Sequence, residues 1–193
     1  LIVQITALAP TRFKRILPAL LASGVVAIGT GRVVAMQQRW QTTGYYDAQR
    51  DFLSALTTLA PELKPHTLVL VLDESGTWRA SFTLRHAVDY MYRGRAIGHA
   101  VGAWDIFYPV RFTPTGVLCE PEPALREPWR VSADRYRYEE VLVVHFSHRR
   151  QLSLLTQWPQ GILPGLPPGA RYDPLARILP GGTPPASRRI LER

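Results

Sequence analysis

One cysteine, Cys119, among 193 residues leaves no partner for an intrachain disulfide. It also supplies too few thiolates for a zinc ribbon, an iron–sulfur cluster or a haem-attachment motif. Lysine is almost as scarce: of the 23 basic residues only Lys14 and Lys64 are lysines, so the net charge of +8 is an arginine charge. Those arginines are dispersed, and their longest runs are the pairs Arg149-Arg150 and Arg188-Arg189. A nucleic-acid module concentrates its cations on one face beside aromatic platforms, so nucleic acid is not an expected partner. A basic surface facing solvent or lipid is expected instead.

Catalytic signatures are missing as well. There is no P-loop, no HExxH and no nucleophile elbow, and Gly94, Gly98 and Gly102 do not follow a strand in the dinucleotide pattern. No cofactor and no metal site is expected. Internal repeats are absent too, and 46% hydrophobic residues describe a chain able to bury one core. The 17 prolines gather between Pro109 and Pro128 and from Pro159 onward, which marks those stretches as extended or looped.

The most informative absence is that of charge from Ile16 to Gly31. With the apolar residues that follow Arg32, the stretch Ile16–Met36 is about 21 residues, enough at ~1.5 Å each to cross a hydrocarbon core of ~30 Å. Gly24, Gly29 and Gly31 suit close helix approach in a membrane, Arg32 can snorkel, and Arg39 and Trp40 fall at the expected interface. A signal peptide and a buried core helix are the alternatives. Upstream, Leu1–Pro10 is apolar and Arg12, Lys14 and Arg15 form a basic turn, which reads as the end of one span, a loop and the next span. If that loop is cytoplasmic, the rest of the chain faces outward, although Arg32 and Arg39 bias the other way. Beginning at Leu1, the chain reads as the end of a longer protein.

The fold class expected is α/β: an N-terminal transmembrane helix, then one small domain with a mixed sheet and two or three helices. Residues 1–40 form the membrane segment, 41–158 the domain, and 159–193 a Pro/Gly-rich tail that wraps the surface without adding a core element. Within the domain, Thr43–Ala60 has helical periodicity through Gln49, Phe52, Leu53, Leu56, Leu59 and Ala60, and Pro61 stops it. Thr67–Asp73 (TLVLVLD) is a continuous apolar run, as in a strand buried on both faces. Ser81 is placed to cap a helix with Leu84, Ala87, Val88 and Met91 inside and Gly94 beyond its end. Val110–Leu118 holds one or two short strands around Pro114-Thr115-Gly116. Glu139–Phe146 and Gln151–Gln157 read as a hairpin.

Ligands of open α/β sheets collect beyond the carboxyl ends of strands, which singles out Asp73 and the following Glu74, Ser75, Gly76 and Thr77. An acid with hydroxyls there can hold a metal or present a nucleophile; it is also a good turn. A metal-dependent hydrolase centred on Asp73 and Ser75 would need His86, Asp89 or His145 as further ligands. His86 and Asp89, three apart on a helix, can pair, whereas His145 and His148 flank a hairpin turn and are expected in solvent. The Asp73–Thr77 stretch faintly resembles the first metal-binding strand of the alkaline phosphatase and sulfatase superfamily, whose later Asp and His clusters have no counterpart here. Aromatics interleaved with arginine, as in Arg135-Tyr136-Arg137-Tyr138, suit sugar stacking, a membrane surface or the edge of a core.

A second resemblance covers residues 1–75. The hydrophobic helix, then Gln37-Gln38-Arg39-Trp40, Phe52-Leu53, the stretch Leu59–Thr67 (LAPELKPHT) and an apolar strand look like the C-terminal tail of polytopic bacterial membrane proteins. Some of these are similar to glycosyltransferases that use lipid-linked sugars. The resemblance implies a non-catalytic, extracytoplasmic domain at the cell membrane. Its implied partners are the membrane, the transmembrane body of the parent protein, and a glycan or lipid-linked sugar. It transfers no functional residue.

Overall fold

A helix of 27 residues, α1 (Leu17–Thr43), opens the part of the chain that the computed structural model describes, namely residues 16–43, 45–103, 108–119, 134–183 and 185–191. The apolar N-terminal stretch Leu1–Pro10 and the basic turn at Arg12, Lys14 and Arg15 lie outside the described residues. So do the side chains of Arg39 and Trp40. The helix runs seven residues past the expected end at Met36, because Gln37–Thr43 contains no proline or glycine to stop it. Its apolar side chains, among them Val25, Val26, Ile28, Val33 and Met36, stand exposed. The stretch Leu17–Gln38 is long and apolar enough to cross a membrane, and none of it is buried within the protein. Leu1–Tyr46 and Asp47–Arg193 are separate compact units.

The second unit has mixed α/β content. Helix α2 (Tyr46–Leu59) turns Ala48, Phe52, Leu56 and Thr57 inward and ends before Pro61, as its periodicity predicts. Strand β1 (Thr67–Asp73) is buried through Leu72. Helix α3 (Ser81–Met91) follows, with Leu84, Val88 and Met91 inside and Gly94 at a φ of 77° just past its end. Ser81 does not cap it: Ala80 occupies the N-cap position, with no side-chain cap, and Ser81 is buried as the first helical residue. Strand β2 (Ala96–Val101) then pairs in parallel with β1, Leu70 opposite His99. The crossover through α3 makes a βαβ unit.

Three short strands intervene: β3 (Val110–Thr113), β4 (Gly116–Cys119) and β5 (Asp134–Tyr136), which form a small antiparallel sheet. The 3-10 turn Tyr138–Glu140 leads into β6 (Val141–Phe146), parallel to the other side of β1. Antiparallel β7 (Leu152–Leu154) closes the main sheet, in the order β2-β1-β6-β7. The hairpin expected between the last two strands is present. Its first strand starts at Val141 rather than Glu139, because Glu140 turns back to accept the Arg137 amide at 2.7 Å.

The period of two residues along β1 and β6 divides the core into two clusters. Val69, Val71, Leu142, Val144 and Phe146 face α2 and α3. Leu68, Leu70, Val141 and Val143 face Val117, Cys119, Tyr136 and Tyr138 of the small sheet and its continuation. The tail does more than cover the surface. Leu163, 3% exposed, completes the second cluster beside Trp158, and Ile178 bridges to Leu63. Tyr172 accepts from the Val143 amide at 3.0 Å and donates to the Leu155 carbonyl at 2.7 Å. Burial raises its phenol pKa to about 12.

Strand β2 escapes the sequence reading because Ala-Ile-Gly-His-Ala-Val lacks a β-branched run and contains a glycine. That glycine has a packing reason. A Cβ on Gly98 would lie 2.7 Å from both Leu84 Cγ and Val88 Cγ2, so its absence lets α3 approach the sheet.

Candidate functional site

At the carboxyl end of β1 the chain turns sharply, with Gly76 at a φ of 66°. Asp73 organises this turn. Its Oδ1 accepts the Ser75 amide at 3.0 Å and the Ser75 hydroxyl at 2.6 Å, and its Oδ2 accepts the Trp78 amide at 2.7 Å. Ser75 has one hydroxyl proton and gives it to Asp73, so the 2.6 Å contact with Thr77 Oγ1 is a bond donated by threonine. Asp73, Ser75 and Thr77 therefore form a closed relay in which each oxygen already has a partner. Beneath it, Trp78 packs edge-on against Phe52, which packs edge-on against Phe146. The Trp78 indole nitrogen is buried with no hydrogen-bond partner among the described residues.

The neighbouring acid is engaged differently. Glu74 lies 3.0 Å from His145 Nε2 across the strand ends. The hydrogen bond from His145 holds the Glu74 carboxyl below the ordinary glutamate range, aided by the charges of His145 and His148 and opposed by desolvation. His145, expected in solvent, is thus half-buried and paired, while His148 is exposed.

Asp73 and Ser75 apart, the residues named from sequence do not form one cluster. Register explains the separation of Asp73 from His145: Asp73 pairs with Phe146, and His145 with Leu72. The carboxylate belongs to the helix-facing row and the imidazole to the row facing the small sheet. His86 is exposed on α3, its ring edge-on to that of Tyr108 with the ring centroids 6.0 Å apart. Asp89 accepts the Gly94 amide through its backbone oxygen at 2.9 Å. Among the described residues no ion pair joins His86 to Asp89, and no three His, Cys, Asp or Glu side chains come close enough to hold a metal ion. Trp104, Phe107 and Trp129 lie outside the described residues; Arg135-Tyr136-Arg137-Tyr138 lies within them, with both tyrosines buried.

Sequence reasoning passed over a second polar site, at the opposite end of the sheet. There Arg177 of the tail donates to the Pro65 carbonyl at 2.6 Å, the His66 carbonyl at 3.1 Å and Thr67 Oγ1 at 2.9 Å. His66, at a φ of 59°, stacks on Tyr136 at 4.4 Å, with its Nδ1 3.4 Å from Glu140. Glu140 is held below its ordinary range. Burial works against this, but the Arg137 amide and the charges of His66 and Arg137 outweigh it. Only the positive φ at a non-glycine residue is unusual here, and φ is not visible in a sequence.

The relay makes a prediction for Asp73. An asparagine keeps one acceptor oxygen but puts an NH2 where a second is needed, so either the Trp78 amide or the Ser75 group loses its bond. Asp73→Asn and Asp73→Ala are both expected to lower stability by about 1–2 kcal/mol, as a lost cap or charged hydrogen bond does. Urea unfolding of both variants checks it; a neutral Asp73→Asn would show that the bond lost from the turn contributes nothing.

No protein-family model, curated protein or solved structure matches the chain.

Proposed function

We propose that this chain is the membrane-anchored, non-catalytic end of a multi-spanning bacterial membrane protein of the glycosyltransferase-like kind. On this reading α1 is the last span. The α/β unit lies on the extracytoplasmic side of the cell membrane, where it packs on the transmembrane body or contacts a glycan or lipid-linked sugar. The observation that carries the reading is α1 itself: an exposed apolar helix whose stretch Leu17–Gln38 carries a single charge, Arg32. Apolar surface on that scale is unstable in water and stable in lipid. The bonding of Ser75 supports the non-catalytic part: its hydroxyl donates to Asp73, and its oxygen accepts from the Thr77 hydroxyl and amide, which leaves no lone pair for nucleophilic attack.

Membrane extraction tests the anchor. The full chain is expected to stay in the membrane pellet through alkaline carbonate washing and to need detergent, whereas residues 41–193 should be recovered in the soluble fraction. A full chain that is soluble and monomeric without detergent overturns the reading. A product cleaved after α1 would identify the helix as a signal sequence. Protease added from the extracytoplasmic side should degrade the α/β unit, and full protection would overturn the assigned side.

A further inference from the structure

Two adjoining clefts, about 470 and 290 Å³, open between the tail and the 3-10 turn Tyr138–Glu140. They share Arg137, Glu139 and Arg171. The rest of the larger cleft is uncharged, with Thr115, Tyr138 and Gly169 in its wall. The smaller brings four cations, Lys64, Arg137, Arg171 and Arg177, against the carboxylates Glu139, Glu140 and Asp173.

The acids there are already engaged. Glu139 pairs with Arg137 at 2.8 Å, Glu140 accepts the Arg137 amide, and Asp173 accepts the Ala176 amide at 3.2 Å. The cations outnumber the acids by one. Arg177 donates only to neutral oxygens of the chain. The side chains of Lys64 and Arg171, both exposed, have neither a hydrogen bond nor an ion pair among the described residues. The backbone nevertheless fixes Lys64 in place, because its amide donates to the Arg177 carbonyl at 2.9 Å. Two cations from distant parts of the chain, their side chains unpartnered among the described residues, thus line one cleft, and beyond the shared residues the cleft beside it is uncharged.

We propose that this cleft binds a phosphate-bearing group, its phosphate between Lys64 and Arg171 and its alcohol portion in the adjoining cleft beside Thr115 and Gly169. A phosphate has enough acceptor oxygens to be shared by two side chains from different elements. The arginine fork takes two of them and the lysine acts as a point charge. The source is a soluble phosphate ester or an anionic phospholipid head group. The site goes beyond membrane tethering and stands whether or not α1 lies in a bilayer.

The full chain in a neutral, sugar-free detergent should bind glycerol 3-phosphate saturably in calorimetric titration. Inorganic phosphate should bind more weakly, and glycerol not at all. Lys64→Ala and Arg171→Ala should each weaken binding about tenfold, the effect of one lost charged hydrogen bond. Neither should shift the melting temperature, since neither side chain has a partner to lose. Absence of saturable binding, glycerol binding as well as its phosphate ester, or a double variant that binds like the parent would each overturn the site. Repeating the titration in phosphatidylcholine nanodiscs with and without phosphatidylglycerol names the source. A weaker apparent affinity with phosphatidylglycerol supports occupation by head groups; an unchanged affinity supports the soluble ester.

Discussion

Val143→Asp is expected to unfold the α/β unit or to lower its stability by about 4 kcal/mol, the cost of an unpaired carboxylate in a core. Val143 has no exposed surface and lies on β6, between β1 on one side and β7 on the other. Its side chain points into the cluster with Leu70, Tyr138 and Trp158, none of them a cation. Val143→Ala separates charge from lost packing and is expected to cost about 2 kcal/mol, from two missing carbons and the cavity they leave. Urea titration followed by tryptophan fluorescence measures both variants. An aspartate no worse than the alanine would mean that this position reaches water.

Gly116→Ala carries the second large effect. Gly116 opens β4 after the Pro114-Thr115 turn at a φ of 148°, which side chains rarely adopt. A Cβ there would sit 2.1 Å from the Tyr136 carbonyl oxygen and 3.2 Å from Arg137 Cα. Both are backbone atoms of the adjoining segment, so no rotamer change relieves the overlap and β5 must move. Strain and displacement together are expected to cost about 3 kcal/mol. Gly76→Ala provides the comparison: its φ is also positive, but nothing lies within 4 Å of the added atom. That substitution should cost only about 1 kcal/mol, through φ alone. Equal effects at the two positions would show that the contact between β4 and β5 is not tight.

Most elements were legible in the sequence, the short strands β3, β4 and β7 among them, and each is specified by neighbours along the chain. The uncharged run from Ile16 predicts α1. The spacing of Phe52 and Leu56 predicts α2, that of Leu84, Val88 and Met91 predicts α3, and the apolar runs TLVLVLD and VLVVHF predict β1 and β6. Strand β2 was not legible, because its role depends on pairing with β1 and on α3 resting against Gly98. The tail was underestimated for a related reason. Prolines and glycines predict irregular backbone, yet irregular backbone can still place Leu163 and Tyr172 where the sheet needs them.

At the candidate sites the division is sharper. The sequence by itself determined that an acid and two hydroxyls follow β1 in a tight turn, because Asp-Glu-Ser-Gly-Thr carries its own local hydrogen-bonding pattern. Only the tertiary structure decided that Asp73 and His145 face opposite sides of the sheet, since pairing register assigns each residue to a face. The tertiary structure alone also brought Lys64, Arg137, Arg171 and Arg177 to one cleft. Their separations along the chain follow no helical or strand period. They meet because the tail returns across the amino end of the sheet, held there by the bonds of Arg177 and Tyr172 to backbone laid down far earlier.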